Sequence, residues 1–490
     1  MGSALPIRGM QGHAPGPVAF GTDTVRSGAW VTAHRIRFAP VTAGIGKGRN
    51  VMGMTRRRYA RALAFSGLAM TGCWGGLEGS GSPTVSKEPI TLRFVPAGFH
   101  ADLDQVVVDQ YQQENPLVKI AFEPIPTAYV DKITAMQTGG TLPDVIYVAD
   151  AHVKPFAANK IAADMEKLAA KDKASQDLLK DVYPAMLNLG RVKSIPGQYM
   201  LPWALDVLVM YYNKTMFQAS GVPLPKPTWT FDDMLAAAKQ LTKPGDTPAQ
   251  GQYGMNLSWT AWSEYVPWMR GFGGDLVSAD GKSQLIDSSG SIDGIEAMAS
   301  LVTKHKVAPP IGTDFGGNAF HLGKVGMMFS IRNASVATRK TVGTNFEWDV
   351  ELRPAFPKKR VTSMGTAGTG VSTQTKLPDA SWQLAKYTIS PTAQKIYATS
   401  YGAVPVLQSL RDDPSWRKLA APPANIDTFV KAAEFGTLPP DTPLSCGTVY
   451  VGDLNVLMTK TLTDIVNGKV AAGPGLRDAA EQVTACLAKA

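Results

Sequence analysis

The sequence predicts an α/β fold organised around a parallel sheet. Between residues 90 and 150, stretches that alternate apolar and polar every second position take turns with stretches whose apolar residues recur every three or four. The third strand-like stretch, Val145-Ile146-Tyr147-Val148, is an unbroken apolar run, the mark of a strand covered on both faces. The chain is long enough at 490 residues for two or three domains, and its 44% apolar content supports large cores rather than wholesale disorder.

In chain order, Ile90, Leu92 and Phe94 alternate as a strand, and Leu103, Val106, Val107 and Tyr111 follow at helical spacing. Asn115-Pro116 stops that helix, because proline has no N–H to continue it. Val118, Ile120 and Phe122 form the second strand. Thr127 is placed to cap a helix carrying Tyr129, Ile133 and Met136, which Gly139-Gly140 ends. The run at 145–148 completes β-α-β-α-β, a unit that winds right-handedly and binds ligands beyond the carboxyl ends of its strands. That rule singles out residues 97–100, 124–129 and 149–152. Further on, Val207 to Tyr212 reads as a strand, Thr230 with Asp233 as a capping box, Ile292 to Val302 as a helix, and Ser390-Pro391 as a helix start.

The net charge of +9 does not describe the folded body. Residues 1–72 hold ten Lys and Arg against the single acid Asp23, and the other 418 residues carry 39 charges of each sign. Nucleic-acid binding, which needs positive charge on the folded surface, gains no support. Residues 1–53 lack apolar periodicity and are read as an extension outside the fold. Met54 to Gly72 carries the basic run Arg56-Arg57-Arg58, then a short apolar segment from Ala62 to Met70, which together make a secretory signal too short to span a bilayer. Cys73 after small residues resembles a bacterial lipobox, although Met70 stands where Leu is usual, and Thr55 to Tyr59 resembles a twin-arginine signal. Residues 73–89, rich in Gly and Ser, read as a flexible linker.

Eight segments in order resemble an extracellular solute-binding protein of an ABC importer, of the carbohydrate-binding group. They are Gln113 to Pro116, Gly139 to Val145, Leu201 to Asp206 with Tyr211 to Lys214, Trp229 to Asp233, Phe272 to Leu276, Gly323 to Met327, Pro378 to Trp382, and Ser390 to Gln394. The resemblance implies a two-lobed periplasmic-binding-protein-like fold with hinge strands and an interlobe cleft that closes on the ligand. It implies an N-terminal lobe of 90–205 with 350–390, a C-terminal lobe of 206–349 with 391–490, and chain crossings near 204–207, 347–353 and 390–402. It further implies a sugar or oligosaccharide ligand, permease subunits as partners, a monomer tethered outside the membrane by lipid on Cys73, and neither cofactor nor metal.

A sugar needs acceptors and donors for its hydroxyls and rings for its C–H faces. Asp206 matches the family's sugar-binding acid, and Asp150, at the end of the third strand, is a further acceptor. Trp203 is either a stacking ring or a hinge-packing residue. Trp259 and Trp262 lie in a stretch resembling the family's stacking loop, with Trp268 left to the core. Ser330 to Asn333 replaces the family's frequent Gly-Pro-Trp, so that Arg332 and Asn333 stand where a stacking ring is usual and an anionic ligand stays open. Gly365 to Gly370 resembles a Gly-rich ligand loop, which brings in Thr366 and Gly368. Tyr129 and Tyr450 are weaker candidates. Cys446 and Cys486 either pair or stay free.

An enzyme is not expected. The six His show no metal-site spacing and no Gly-x-Ser-x-Gly elbow occurs. The rivals are a secreted glycoside hydrolase, which would also use carboxylates and tryptophans, and a sensor or anionic-solute binder on the same fold. Against the hydrolase stand the ordered family segments, which match a binder, and an Asp206 environment that needs no raised pKa.

Overall fold

The computed structural model describes residues 87–419, 421–446 and 453–489. The lipidation site Cys73, the signal and extension segments, and Tyr450 lie outside them. Among the described residues, fourteen strands make four sheets: β1 (Ile90–Val95), β2 (Val118–Phe122), β3 (Val145–Ala149), β4 (Arg191–Val192), β5 (Ile195–Gln198), β6 (Leu201–Pro202), β7 (Asp206–Val207), β8 (Val209–Asn213), β9 (Tyr253–Met255), β10 (Val325–Ser330), β11 (Trp348–Glu351), β12 (Thr362–Gly365), β13 (Ala367–Val371) and β14 (Gly436–Thr437).

The first lobe is built on the sheet β2-β1-β3-β13-β6. β1 pairs in parallel with β2 and β3, with Ile90 opposite Val118 and Phe94 opposite Val145, as the alternating and continuous apolar patterns require. The switch point lies between β1 and β3, so the loops leaving them open on one crevice. The second lobe is built on β11-β8-β10-β9, in which β9 and β10 run parallel. A three-stranded sheet, β14-β12-β7, lies between them in the chain path. The chain leaves the first sheet at β6, crosses through β7 and enters the second at β8. It returns through β12 to β13, with Gly365 opposite Asp206 and Ala367 opposite Ala149. The single residue between those strands, Thr366, sits where the sheets meet.

Local chemistry explains the element ends. Thr230 Oγ1 accepts from Asp233 N–H at 3.3 Å while Asp233 Oδ2 accepts from Thr230 N–H at 2.8 Å, the reciprocal cap read from sequence. Ser390 Oγ accepts from Ala393 N–H at 3.2 Å, with Pro391 in the first turn. Thr127 is not a cap: the helix Tyr129–Thr138 is entered from Ala128 with φ at 53°, and no side chain caps it.

Three expected features are corrected. β11 pairs with β8, Trp348 opposite Asn213, so residues near 347–353 lie inside the second lobe and the return crossing comes at β12–β13. Residues 391–401 form a helix, not a crossing. Ala393 and Tyr397 bury with Leu103, Val107 and Trp203, so the helix belongs to the first lobe. Gly365 to Gly370 is the end of β12 and most of β13 with only Thr366 between them, not a loop. A Cβ on Gly368 would overlap the Leu201 carbonyl of the neighbouring strand, so this glycine serves sheet packing rather than ligand approach. Cys446 and Cys486 are disulfide-bonded with Cα atoms 5.2 Å apart, which ties residue 446 to the helix Ala472–Leu487. No helix among the described residues is long and apolar enough to cross a membrane.

Candidate functional site

The site forms where β1 and β3 end and β13 begins, as the switch-point rule predicts. Asp150 opens the helix Asp150–Ala158 directly after β3. Its carboxylate accepts from Ala151 N–H at 2.7 Å and from Thr366 N–H at 3.2 Å, which locks it against the strand junction. Asp206, paired with Gly365 across that junction, is half-buried. No protein donor among the described residues reaches its carboxylate within hydrogen-bond distance. Burial first, and the charge of Asp150 second, push its pKa from 3.8 to about 7. The sequence supplied no reason to need a raised pKa here, yet two neighbouring carboxylates in a sheltered place disfavour a second charge.

Aromatic rings surround the pair. Phe99, in the turn after β1, is 68% exposed and packs edge-on to Tyr147 of β3 at 5.6 Å. His100 lies 3.8 Å from Trp203 and 5.2 Å from Tyr401, between ring centroids. Trp203 is buried, and its indole nitrogen and His100 Nδ1 have no hydrogen-bond partner among the described residues. Trp203 is therefore a hinge-packing ring that also backs the site. The helix Pro391–Tyr401 delivers Tyr401, whose hydroxyl accepts from Asn333 Nδ2 at 2.8 Å. Asn333 follows β10, so this bond joins the second lobe to the first.

The other predicted residues fall elsewhere. Tyr129 is a strut: its hydroxyl donates to the Val95 carbonyl at 2.8 Å and accepts from Tyr147 N–H at 2.9 Å, so its one donor is spent on the sheet. Thr366 spends its hydroxyl on the Ala204 carbonyl at 2.6 Å. Trp262 is 1% exposed within the second lobe's core, so it cannot face a ligand. Trp259 is half-buried after β9, on the side of the second sheet where β10 also ends, and its indole donates to Thr463 Oγ1 at 3.0 Å. Arg332 is 1% exposed, donates to Ser335 Oγ and lies over the Phe429 ring at 5.4 Å. Burial lowers its pKa to about 10. It is a core arginine in this structure, not a cleft residue.

Sequence reasoning missed Phe99, His100, Tyr147 and Tyr401. The first two lie in the turn singled out by the strand-end rule, and an aromatic pair there was the available signal. Tyr147 was hidden in an apolar run, and Tyr401 can be recruited only by tertiary packing. Beside Asp150 a cavity of about 900 Å³ continues between the lobes. Lys154 and Arg191 line it from the first, Arg270 and Asp275 from the second, and the segment 437–442 covers it. Lys154 Nζ donates to Asp441 Oδ1 at 2.6 Å and Arg270 Nη1 to the Leu438 carbonyl at 2.6 Å, so that segment is tied to both sides. Among the described residues no grouping of His, Cys, Asp and Glu could hold a metal ion.

Two α/β lobes, short crossing strands and a polar, ring-lined crevice at the strand ends define a two-lobed binding protein. The chain belongs to the bacterial extracellular solute-binding protein family, whose model matches residues 97–395. A putative binding protein of Brucella abortus is 23% identical over 392 residues, covering 77% of this chain and 88% of that protein. An ABC substrate-binding protein from Listeria monocytogenes, solved in complex with cycloalternan, superposes with a TM-score of 0.71 at 19% identity, over 82% of this chain and 100% of its own. The sugar-binding protein MalE from Xanthomonas citri gives a TM-score of 0.70 at 18% identity, over 82% and 98%.

Proposed function

We propose that this chain captures a sugar or oligosaccharide in the cleft between its lobes and delivers it, unaltered, to an ABC permease. The observation that carries the reading is Asp206: a sheltered carboxylate that no donor among the described residues reaches, beside Asp150 and the rings of Phe99, Tyr147 and Tyr401. An acceptor left open in such a place is satisfied by a ligand that brings hydroxyls, and the rings take the apolar faces. Similar structures were solved as a cycloalternan complex and as a sugar-binding protein, which supports the ligand class. The adjoining cavity of about 900 Å³ gives room for more than one sugar unit. Calorimetric titration of the full chain against mono- and oligosaccharides tests this. Saturable binding without product supports capture, and absence of binding across the panel removes it.

One observation favours a second reading. Two carboxylates, one of them with its pKa raised to about 7, also suit glycoside hydrolysis. Chromatography of each bound oligosaccharide after prolonged incubation decides: release of shorter sugars would establish turnover.

The chain further fits a monomeric protein held at the outer membrane surface by lipid on Cys73. Metabolic labelling with a radioactive fatty acid tests that, and a Cys73→Ala chain that still takes up label would exclude it.

A further inference from the structure

The turn that leaves β10 gathers donors without acceptors. Arg332, two residues after that strand, is 1% exposed, and its Nη1 donates to Ser335 Oγ. Its Nε and Nη2 are buried and have no hydrogen-bond partner among the described residues. Arg339 lies one turn along from Ser335 in the helix Ala334–Val342. Its Nη1 donates to the same Ser335 Oγ at 3.5 Å and to the Pro422 carbonyl at 2.9 Å. Ser335 is fully buried, and its oxygen accepts from both arginines. Its own O–H is left to donate, and it reaches no acceptor among the described residues.

No carboxylate answers this charge: among the described residues, neither arginine forms an ion pair. Asp349 of β11 is spent on backbone, accepting from Val350 N–H at 2.9 Å and from Ala424 and Asn425 N–H at 3.0 Å each. Asp427, which opens the helix Asp427–Ala433, is paired with Arg417. The Tyr211 hydroxyl donates to the Ile331 carbonyl at 2.7 Å and so holds the turn itself. On its open side the Arg332 guanidinium lies over the Phe429 ring, 5.4 Å from its centroid. Burial lowers its pKa only to about 10, so it is charged at pH 7. A buried cation is ordinarily paired, and a buried N–H ordinarily has an acceptor. Water would satisfy the N–H groups but bring no counter-charge, whereas an anion supplies both.

We propose that Arg332, Arg339 and Ser335 form a buried site for a small inorganic monoanion of the chloride class. The anion accepts from Arg332 Nε and Nη2 and from the Ser335 hydroxyl, and it offsets the repulsion between two guanidinium groups that meet on one oxygen. The same turn carries Asn333, whose Nδ2 donates to Tyr401 Oη at 2.8 Å across the lobes. Holding Arg332 and Ser335 in place on either side of Asn333 steadies that bridge. The site needs no sugar in the cleft, so it stands whichever solute the cleft takes.

The test melts the full chain at pH 7 and constant ionic strength while sodium gluconate is exchanged stepwise for sodium chloride, bromide or sulfate. Chloride is expected to raise the midpoint saturably, by roughly 1–3 °C at about ten times its dissociation constant, and bromide to do the same. Arg332→Met and Arg339→Gln should each erase that rise. Arg339 is only half-buried, so its variant keeps the test decisive if the first does not fold. Crystals grown in bromide should show an anomalous peak within hydrogen-bond distance of Arg332 Nε. Equal midpoints in chloride and gluconate overturn the proposal. So does a chloride rise that persists in a folded variant, or one that sulfate exceeds in parent and variants alike, which is the general effect of an excluded salt. Ordered solvent at the arginines without an anomalous signal identifies water and overturns it as well.

Discussion

Asp206→Asn separates the two costs that the structure places on one side chain. The amide keeps the shape and removes the charge. In the folded protein the carboxyl has its pKa raised from 3.8 to about 7, so its ionisation works against the fold. The stability it lends is fully present below about pH 4 and is lost as pH rises through 7. Three units correspond to a ceiling of roughly 4 kcal/mol at pH 8. Because part of the side chain faces cleft water, about 1–2 kcal/mol is the realistic gain on removing the charge. The variant should therefore melt higher than the parent at pH 8, by about 1–2 °C per kcal/mol for a body of this size, and match it at pH 4. Binding should move the other way. A carboxylate accepting a ligand hydroxyl contributes about 1.5–3 kcal/mol, so affinity for the tightest saccharide of the panel should fall roughly 10- to 100-fold. Parent affinity should also rise between pH 6 and 8, since hydroxyl donors favour the ionised form. Thermal melts at both pH values and calorimetry from pH 6 to 8 measure all of this. A variant less stable than the parent at pH 8, or one that binds the saccharide as tightly, would refute the reasoning.

Other perturbations are expected to behave as follows. Phe99→Ala removes a largely exposed ring, so the melting temperature should hold within the effect of about 0.5 kcal/mol while saccharide affinity drops about tenfold; equal affinity would place the ring outside the site. Asn333→Ala breaks the bond to Tyr401 between the lobes and should weaken binding by about 0.5–1.5 kcal/mol, mainly as faster dissociation in stopped-flow displacement. Reducing Cys446–Cys486, which closes 40 residues, should cost roughly 3–4 kcal/mol in the chain-entropy picture, read as a lower denaturant midpoint in the presence of reductant. Gly368→Ala should prevent soluble folding, because the added methyl would overlap the Leu201 carbonyl; a soluble variant with the parent's melting point would contradict the strand register.

The local periodicities exposed the first lobe clearly. β1, β2 and β3 appeared where alternation and continuous burial demanded them, because a side chain's face in a strand depends on its own position in the repeat. The caps at Thr230 and Ser390 were legible for the same reason: both partners lie within three residues. Trp262 and Trp259 show where legibility ends. Three residues apart in one aromatic-rich stretch, one enters the core and the other lies half-buried on Thr463, a partner some 200 positions away. Arg332 was open to a ligand role until packing against Ser335 and Phe429 buried it. The boundary errors at 350–361 and 391–401 have the same origin, since a strand or helix pattern does not say which sheet or lobe it joins.

By itself the sequence determined the α/β class, the alternation of elements, the family and the two acids at strand ends, all of which depend on near neighbours or on ordered motifs. Tertiary structure alone decided that no donor among the described residues reaches Asp206, that the charge of Asp150 acts on it, that Tyr147 feels Asp104 as well, and that Tyr401 and Asn333 meet across the lobes. Burial and charge coupling depend on distances in space between residues as far apart as 104 and 401, and no local pattern in the chain encodes those distances.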